Sequence, residues 1–295
     1  MNEPTTESGK LFTAHKQRLF GLAYRMLGSR AEAEDVVQDA FVRYAGCSDT
    51  VIDDPPRYLT TIVARLCLDR LRSAHHRRET YVGTWLPEPV LAAPLDGPDH
   101  TVELADDLSI SLLVLLDRLS PPERAAFLLH DVFDEDFDSI AKTLGRTPAG
   151  CRKLAERARS NIRANHPRFE VPASKGEDLC QAFLQATNQG DISALSTLLA
   201  QDAVLYSDGG GKRRAALKPI FGSERIVRFL MGIRKKPSAP VPKTYVLRWV
   251  NQMPAIIFEM TNGDHFLVAL EVQAGKIAQL YFINNPDKLH GVVTA

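Results

Sequence analysis

The sequence predicts a multidomain protein in which two all-α blocks precede one α+β domain. Three observations carry that expectation. Apolar residues recur every three to four positions through residues 10–80 and again through about 110–165, the period of an amphipathic helix. Between these blocks, residues 81–110 hold Pro87, Pro89, Pro94, Gly97 and Pro98 and read as an extended linker. From Gly176 onward two helices are followed by short runs of alternating polarity, the order of a compact α+β domain. The expected domain limits are 8–80, 81–110 for the acidic linker, 111–165 and 174–293. A chain of 295 residues has room for two or three such domains. With 44% hydrophobic and 24% charged residues, long disorder is not expected.

Each element follows from local chemistry. Leu19, Leu22, Ala23 and Met26 share one face of the first helix, and Val36, Val37, Ala40, Phe41 and Tyr44 one face of the second. Ser29, three residues before Glu32, has the spacing of a capping box. Asp53-Asp54-Pro55-Pro56 is a loop whose prolines open a third helix with Leu59, Ile62, Val63, Leu66 and Leu71 inward. In the second block, helices are divided by Ser120-Pro121-Pro122, by the acidic turn Asp134-Glu135-Asp136 and by Gly145-Arg146-Thr147-Pro148. Pro167 and Pro172 mark the next boundary. Helices at about 176–189 and 192–200 then lead to a strand at 203–207, a Gly-rich turn, and a helix at about 223–233. Strands are expected at 244–250, 255–260, 265–272 and 277–283.

Charge is the next constraint. The chain has 36 basic and 36 acidic residues, and zero net charge by itself speaks against a nucleic-acid partner. The distribution reverses that reading. Residues 57–78 hold six arginines against Asp69, and residues 142–168 hold eight basic residues against Glu156. Residues 81–110 hold six acidic residues and no Lys or Arg. Local footprints, not the sum, set the field that a nucleic acid meets. Cys47, Cys67, Cys151 and Cys180 are scattered without a C-x-x-C pair, so neither a zinc site nor a disulfide framework is expected, and a reducing cytoplasm is the expected compartment. No run approaches the ~18–20 apolar residues of a membrane helix, and MNEPTTESGK has no basic segment followed by an apolar one, so neither a membrane span nor a secretory signal is expected.

The strongest local signal lies at residues 137–163. A short helix carries Ile140, Ala141 and Leu144 inward and is closed by Gly145; Thr147 is placed to cap a second helix with Pro148 at its first position. On that second helix Cys151, Leu154, Ala155, Ala158 and Ile162 fall in one narrow arc. The opposite arc presents Ala149, Lys153, Glu156 and Ser160, flanked by Arg152, Arg157 and Arg163. This is a helix-turn-helix pattern, whose second helix reads bases in the major groove from its N-terminal half. Arg and Lys pair with guanine, Glu accepts from cytosine, and further arginines hold phosphates. An ordinary helical hairpin with a solvated basic face is the competing reading.

Three blocks, taken in order, resemble a bacterial sigma factor of the extracytoplasmic-function type. YRMLGSRAEAEDVVQDAFVRYA (24–45) resembles the first half of a sigma-2 domain, including the helix that docks on RNA polymerase. PPRYLTTIVARLCLDRLRSAHHRR (55–78) resembles its second half, which meets the promoter −10 element. Residues 116–162 resemble a sigma-4 domain, which reads the −35 element. WLPEP at 85–89, DGGGK at 208–212 and NPDKL at 285–289 resemble signatures of a subgroup that carries a C-terminal SnoaL-like domain. That domain is the conical, cystatin/NTF2-like α+β fold shared with ketosteroid isomerase-like proteins. The resemblance implies a sigma-2 helical bundle, a sigma-4 helix-turn-helix and a SnoaL-like cone. It also implies a protein that binds the β and β′ subunits of core RNA polymerase and directs promoter-specific initiation at promoter DNA. The C-terminal domain would contact the sigma core and linker within the same chain and modulate activity in place of a separate anti-sigma protein. No catalytic residue, metal or cofactor is implied.

Residue roles follow from the same resemblance. Asp35, Gln38, Asp39 and Arg43, with Phe41 beside them, are implied to dock on polymerase; by composition alone they form a solvated face. Asp53, Asp54 and Arg57, with Arg65, Arg70 and Arg72 of the following helix, are implied to meet the −10 strand, where the loop at 48–57 captures a flipped base. Thr147, Ala149, Arg152, Lys153, Glu156, Arg157 and Ser160 are implied to read the −35 element. Trp85, Pro87, Asp208, Gly209, Gly210, Gly211, Lys212, Asn285, Pro286 and Asp287 are implied to form an interdomain regulatory contact. The DGGGK turn lacks the spacing of a phosphate-binding P-loop, whereas its glycines permit close backbone approach. Lys212, Arg213 and Arg214 are expected to meet the acidic linker, which itself is expected to fit a basic channel of the polymerase. Trp85 is expected to dock on the C-terminal domain. His75-His76 is expected to be phosphate-facing or solvated, not a metal site. The alternative is a SnoaL-like enzyme or ligand-sensing domain fused to a DNA-binding module, with Asp264 and His265 beside a strand. A roomy apolar pocket holding a buried acid or base favours that alternative; a filled cone favours regulation.

Overall fold

A computed structural model describes residues 7–47, 52–79, 81–91, 107–165, 173–236 and 241–293. The chain packs as two compact units, one from residues 1–79 and 112–166, the other from 80–111 and 167–295. Several expectations lie outside the described residues: positions 48–51 of the −10 loop, the linker acids Asp96, Asp99, Glu103 and Asp106, the boundary prolines Pro167 and Pro172, and the side chains of His75, His76 and Arg163.

In the first unit, α1 (Glu7–Leu27), α2 (Arg30–Ala45) and α3 (Pro55–Glu79) form a bundle around Leu22, Met26, Val36, Ala40, Leu59 and Val63, all without solvent exposure. The Ser29 hydroxyl accepts from the Glu32 N–H at 3.3 Å and starts α2. Asp54 Oδ1 accepts from the Arg57 N–H at 3.1 Å, so this acid caps α3 ahead of the Pro55-Pro56 pair. After α4 (Ile110–Asp117), a Ser120/Glu123 capping box opens α5 (Pro121–Phe127). A π-helical turn, Leu128–Val132, which the sequence pattern does not anticipate, follows; Phe133 N–H bonds back to the Leu128 carbonyl at 3.1 Å. Then come α6 (Phe137–Leu144) and α7 (Pro148–Asn165). α5 and α6 both pack on α3, so the two helical blocks share one unit. Arg124 of α5 sits at the joint, 3% exposed, donating to the Met26 carbonyl at the end of α1 and to Asp117 Oδ1 at 3.2 Å. Burial lowers its pKa to about 10, which still leaves it charged at neutral pH.

The second unit begins with α8 (Ala173–Gln189) and α9 (Ile192–Leu198), followed by β1 (Leu199–Asp208), β2 (Ile220–Phe221) and α10 (Ser223–Arg234). Strands β3 (Pro242–Val250), β4 (Met253–Met260), β5 (His265–Gln273) and β6 (Lys276–Ile283) lead to a 3₁₀ turn, Pro286–Lys288, and α11 (His290–Val293). One sheet runs in the order β2-β1-β6-β5-β4-β3; β1 lies parallel to β6 and every other pairing is antiparallel. Phe183, Leu195, Ile226, Leu230, Ile256 and Phe282 belong to the apolar layer between helices and sheet. β1 begins four residues earlier than the expected 203–207 run, and α9 ends two residues earlier than expected. Pairing of Leu199 with Ile277, across a register shift before Val204, draws this segment into the sheet despite its helical pattern. The β3–β4 hairpin turns on Asn251 and Gln252, both left-handed at φ 51° and 59°.

All four cysteines are free thiols, and burial raises the pKa of Cys67, Cys151 and Cys180. No described helix is long and apolar enough to cross a membrane.

Leu280 of β6 has no exposure and lies in the apolar layer. Leu280→Ala is expected to destabilise the protein by about 2–5 kcal/mol, read from the denaturant midpoint of the C-terminal transition. A loss below about 1 kcal/mol would mean that this layer is not the core.

Candidate functional site

The helix-turn-helix forms as its residues dictate. Asp136 Oδ1 caps α6 by accepting from the Ser139 N–H at 2.8 Å, and Gly145 closes the helix in the left-handed region at φ 64°. Thr147 Oγ1 accepts from the Gly150 N–H at 3.1 Å and starts α7 behind Pro148. Cys151, Leu154, Ala155, Ala158 and Ile162 are buried beneath α7. Thr147, Ala149, Arg152, Lys153, Glu156, Arg157 and Ser160 are all exposed on its other side. Arg152 lies over the Phe137 ring at 5.3 Å, which steadies a side chain on the reading face. Arg157 Nε is 3.2 Å from Glu123, and Arg159 Nε reaches both Asp131 oxygens at 2.7 and 3.0 Å. Lys153 has no ion pair among the described residues and is the open cation of this face.

The arginines implied for the −10 strand are less open. Arg57 Nε bonds Glu135 at 2.7 Å and the Ser139 hydroxyl at 3.0 Å, while its outer nitrogen meets Asp136. Arg65 donates to the Lys142 carbonyl at 2.9 Å, at the C-terminal end of α6. Both therefore hold the acidic turn and helix of the second block. Arg70 donates to the Glu32 carbonyl at 3.0 Å and to Asp39 at 3.1 Å, with Asp35 at 3.6 Å. It thus joins residues implied for two different surfaces. Asp53, Asp54, Arg65 and Arg72 are exposed, with Arg72 paired to Asp69 at 3.3 Å. On α2, Asp35, Gln38, Asp39 and Arg43 are exposed; Phe41 is half-buried, its ring 4.6 Å from that of Phe12.

In the second unit the quoted motifs meet around one carboxylate. Asp208, at the end of β1, has no solvent exposure. Its Oδ1 accepts from Tyr81 Oη at 2.5 Å and from the Gly210 N–H at 3.0 Å. Its Oδ2 accepts from the Leu86 N–H at 2.9 Å and from Lys288 Nζ at 2.7 Å. Lys288 lies 4.5 Å over the Trp85 ring and 5.0 Å over that of Tyr81. Asn285 donates to Tyr81 Oη at 3.0 Å and, through its Oδ1, accepts from the Asp287 N–H at 3.1 Å. Burial and the bond to Asp208 hold the Tyr81 hydroxyl well above the ordinary tyrosine range, so it remains a donor. The glycines have distinct uses: a Cβ on Gly209 would stand 2.2 Å from the Arg213 carbonyl, and one on Gly210 2.3 Å from Asn285. Pro87 and Leu86 are buried. Farther along, Asn251 N–H bonds the Val90 carbonyl at 2.8 Å, its side chain accepts from the Val90 N–H at 3.0 Å, and it donates to the Leu108 carbonyl at 2.8 Å.

The expected meeting of Lys212, Arg213 and Arg214 with the acidic linker concerns carboxylates, Asp96, Asp99, Glu103 and Asp106, that lie outside the described residues. Lys212 pairs with Asp287 at 2.6 Å and Arg213 with Asp264, while the Arg214 carbonyl accepts from Asn284. Lys288 meets the described part of the linker: its Nζ donates to the Leu86 carbonyl and lies over the Tyr81 and Trp85 rings. Sequence reasoning missed Tyr81, Asn251 and Gln252. Asn251-Gln252 lay between two strand runs, and Asn tolerates the left-handed conformation, so a hairpin tip was legible there; its grip on the linker was not.

Comparison with known proteins follows the same layout. Residues 11–77 match the family model described as Sigma-70 region 2, and residues 109–162 that of Sigma-70, region 4. The chain is 38% identical to the ECF RNA polymerase sigma factor SigJ of Mycobacterium tuberculosis, over 95% of this chain and 92% of that one. It is 31% identical to the probable ECF RNA polymerase sigma factor SigI of the same species, over 94% of this chain and 92% of that one. The crystal structure of M. tuberculosis SigJ superposes with a TM-score of 0.76 at 34% identity, covering 97% of this chain and 99% of that one. With sigma-2 and sigma-4 helical domains followed by an α+β domain, the chain belongs to the extracytoplasmic-function RNA polymerase sigma factors, which direct transcription initiation.

Proposed function

We propose that this sigma factor docks on the β and β′ subunits of core polymerase through the exposed face of α2, reads the −35 element with α7, and holds the melted −10 strand with the loop before α3 and with α3 itself. Its domain limits in this reading are 8–80, 81–110, 111–165 and 174–293, and it works in the cytoplasm. The outward array on α7, with every implied base-reading side chain exposed above a buried apolar seam, supports the DNA role. No catalysis is assigned.

The C-terminal domain acts in cis by holding the linker. The observation that carries this reading is the Asp208 clasp, which grips the linker through the Tyr81 side chain and the Leu86 main chain. A linker that enters a polymerase channel must first leave Asp208, so the two placements compete. The −10 arginines pose a parallel requirement. Arg57 gives up carboxylates of the turn before α6, and Arg65 a carbonyl of α6, before they meet phosphate, so the helical blocks part as promoter DNA is engaged.

Three outcomes are expected. Core polymerase with this chain initiates at a defined promoter where core alone does not; a lack of promoter-specific transcripts in the reconstituted assay would sink the reading. Lys153→Ala weakens binding to the cognate −35 element by about 1–3 kcal/mol, with little change on a mutated element. Lys288→Met leaves a buried carboxylate without its countercharge, a loss of about 3–5 kcal/mol at the clasp. Faster proteolysis within residues 81–110 and altered promoter output are expected from it, and parent-like values in both would leave the clasp without a regulatory role.

A further inference from the structure

Residues 212–248 carry eleven basic side chains against one acidic, Glu224. Part of this excess is satisfied internally: Lys212 by Asp287, Arg213 by Asp264, Lys243 by Glu259, and Arg234 by the Asn188 carbonyl. The solvent face of α10 is different. The helix buries Ile226, Val227 and Leu230. At about 100° per residue, the opposite side presents Arg225, Arg228 and Gly232 and continues past the helix end into Lys235 and Lys236; all five are exposed. Among the described residues, none of these four cations forms an ion pair.

Gly232 adds an independent observation. A Cβ built there meets nothing within 4 Å, and its φ is not in the left-handed region. Neither packing nor backbone geometry therefore calls for glycine, the weakest helix former after proline, in the interior of this helix. Glycine is suited to a place where another backbone comes close. A stripe of unpaired cations around an open centre is complementary to a phosphate backbone, and a sigma factor works on DNA.

We infer that this face of α10 is a further DNA contact, one that grips the duplex phosphate backbone without reading sequence. It lies outside the α3 and α7 sets and goes beyond the reading above. Four cations without an ion pair among the described residues, against the single exposed acid Glu224 of the same helix, give it a salt-dependent grip, and Gly232 lets the sugar-phosphate chain rest against the helix.

The test uses the full chain and a random-sequence duplex, with affinity measured by fluorescence anisotropy from roughly 50 to 200 mM salt. The variant R225Q/R228Q/K235Q/K236Q is expected to flatten the slope of log K against log salt by about 0.9 per phosphate contact removed, and to lose about tenfold or more in affinity at low salt. Gly232→Leu points a side chain into open space and keeps all four charges. It is expected to retain the parent melting temperature and bind several-fold more weakly. Parent-like slope and affinity in either folded variant overturns the inference. So does a photo-crosslinker at Arg228 that, in the polymerase–promoter complex, captures a polymerase polypeptide and not DNA. Promoter-specific initiation by the unaltered chain is run in parallel: its absence counts against the sigma reading, whereas its presence beside parent-like binding by the variants counts against the α10 contact alone.

Discussion

A carboxylate with no access to water must be neutralised where it stands, and Asp208 imposes that condition on the C-terminal unit. Four donors converge on it: a tyrosine hydroxyl, two main-chain N–H groups and an ammonium. They come from different segments. Lys288 is delivered by the short turn after β6, Gly210 by the Gly-rich loop after β1, and Tyr81 and Leu86 by the linker. Parallel pairing of Asp208 beside Ile283 fixes the end of β1 next to the chain that leads into that turn. Removing any one donor leaves charge in a site that cannot hydrate it, so these segments are coupled through one group.

The N-terminal unit solves a different problem with the same chemistry. Among the described residues, several of its arginines have an internal acceptor. Arg124 ties α5 to the end of α1 from inside the core, where burial makes its guanidinium a fixed strut. Arg57, Arg65 and Arg70 do comparable work at the periphery, where solvent screens each bond and makes it exchangeable. The contrast separates a permanent joint from contacts that another anion is able to replace. Arg57, Arg65 and Arg70 stay paired until a stronger polyanion arrives.

Much of this was legible in the sequence, for physical reasons that differ by element. The helix-turn-helix was readable because Gly145, Thr147 and Pro148 act locally, and because the seam from Cys151 to Ile162 repeats at helical period. The strands from β3 to β6 were readable from alternation. β1 was misjudged at its start since Leu199 is held by a partner strand far along the chain, which no local pattern reports. The two-residue β2 exists only by pairing with β1 and left no trace of its own. The motif residues at 85–89, 208–212 and 285–289 could be picked out, whereas their meeting point depends on which cation faces the linker. Lys288 reaches the described linker because the turn after β6 delivers it there.

The linker clasp has a consequence for concentration. Leu86 is recognised through its N–H and its carbonyl, and Val90 likewise, so the C-terminal domain treats this stretch of its own chain much as a receptor treats a peptide. Ligand and receptor are covalently joined, so the effective concentration is set by the chain between them and not by the concentration of the protein. Dilution cannot release the segment. Occupancy of this contact is therefore independent of how much of the protein a cell makes.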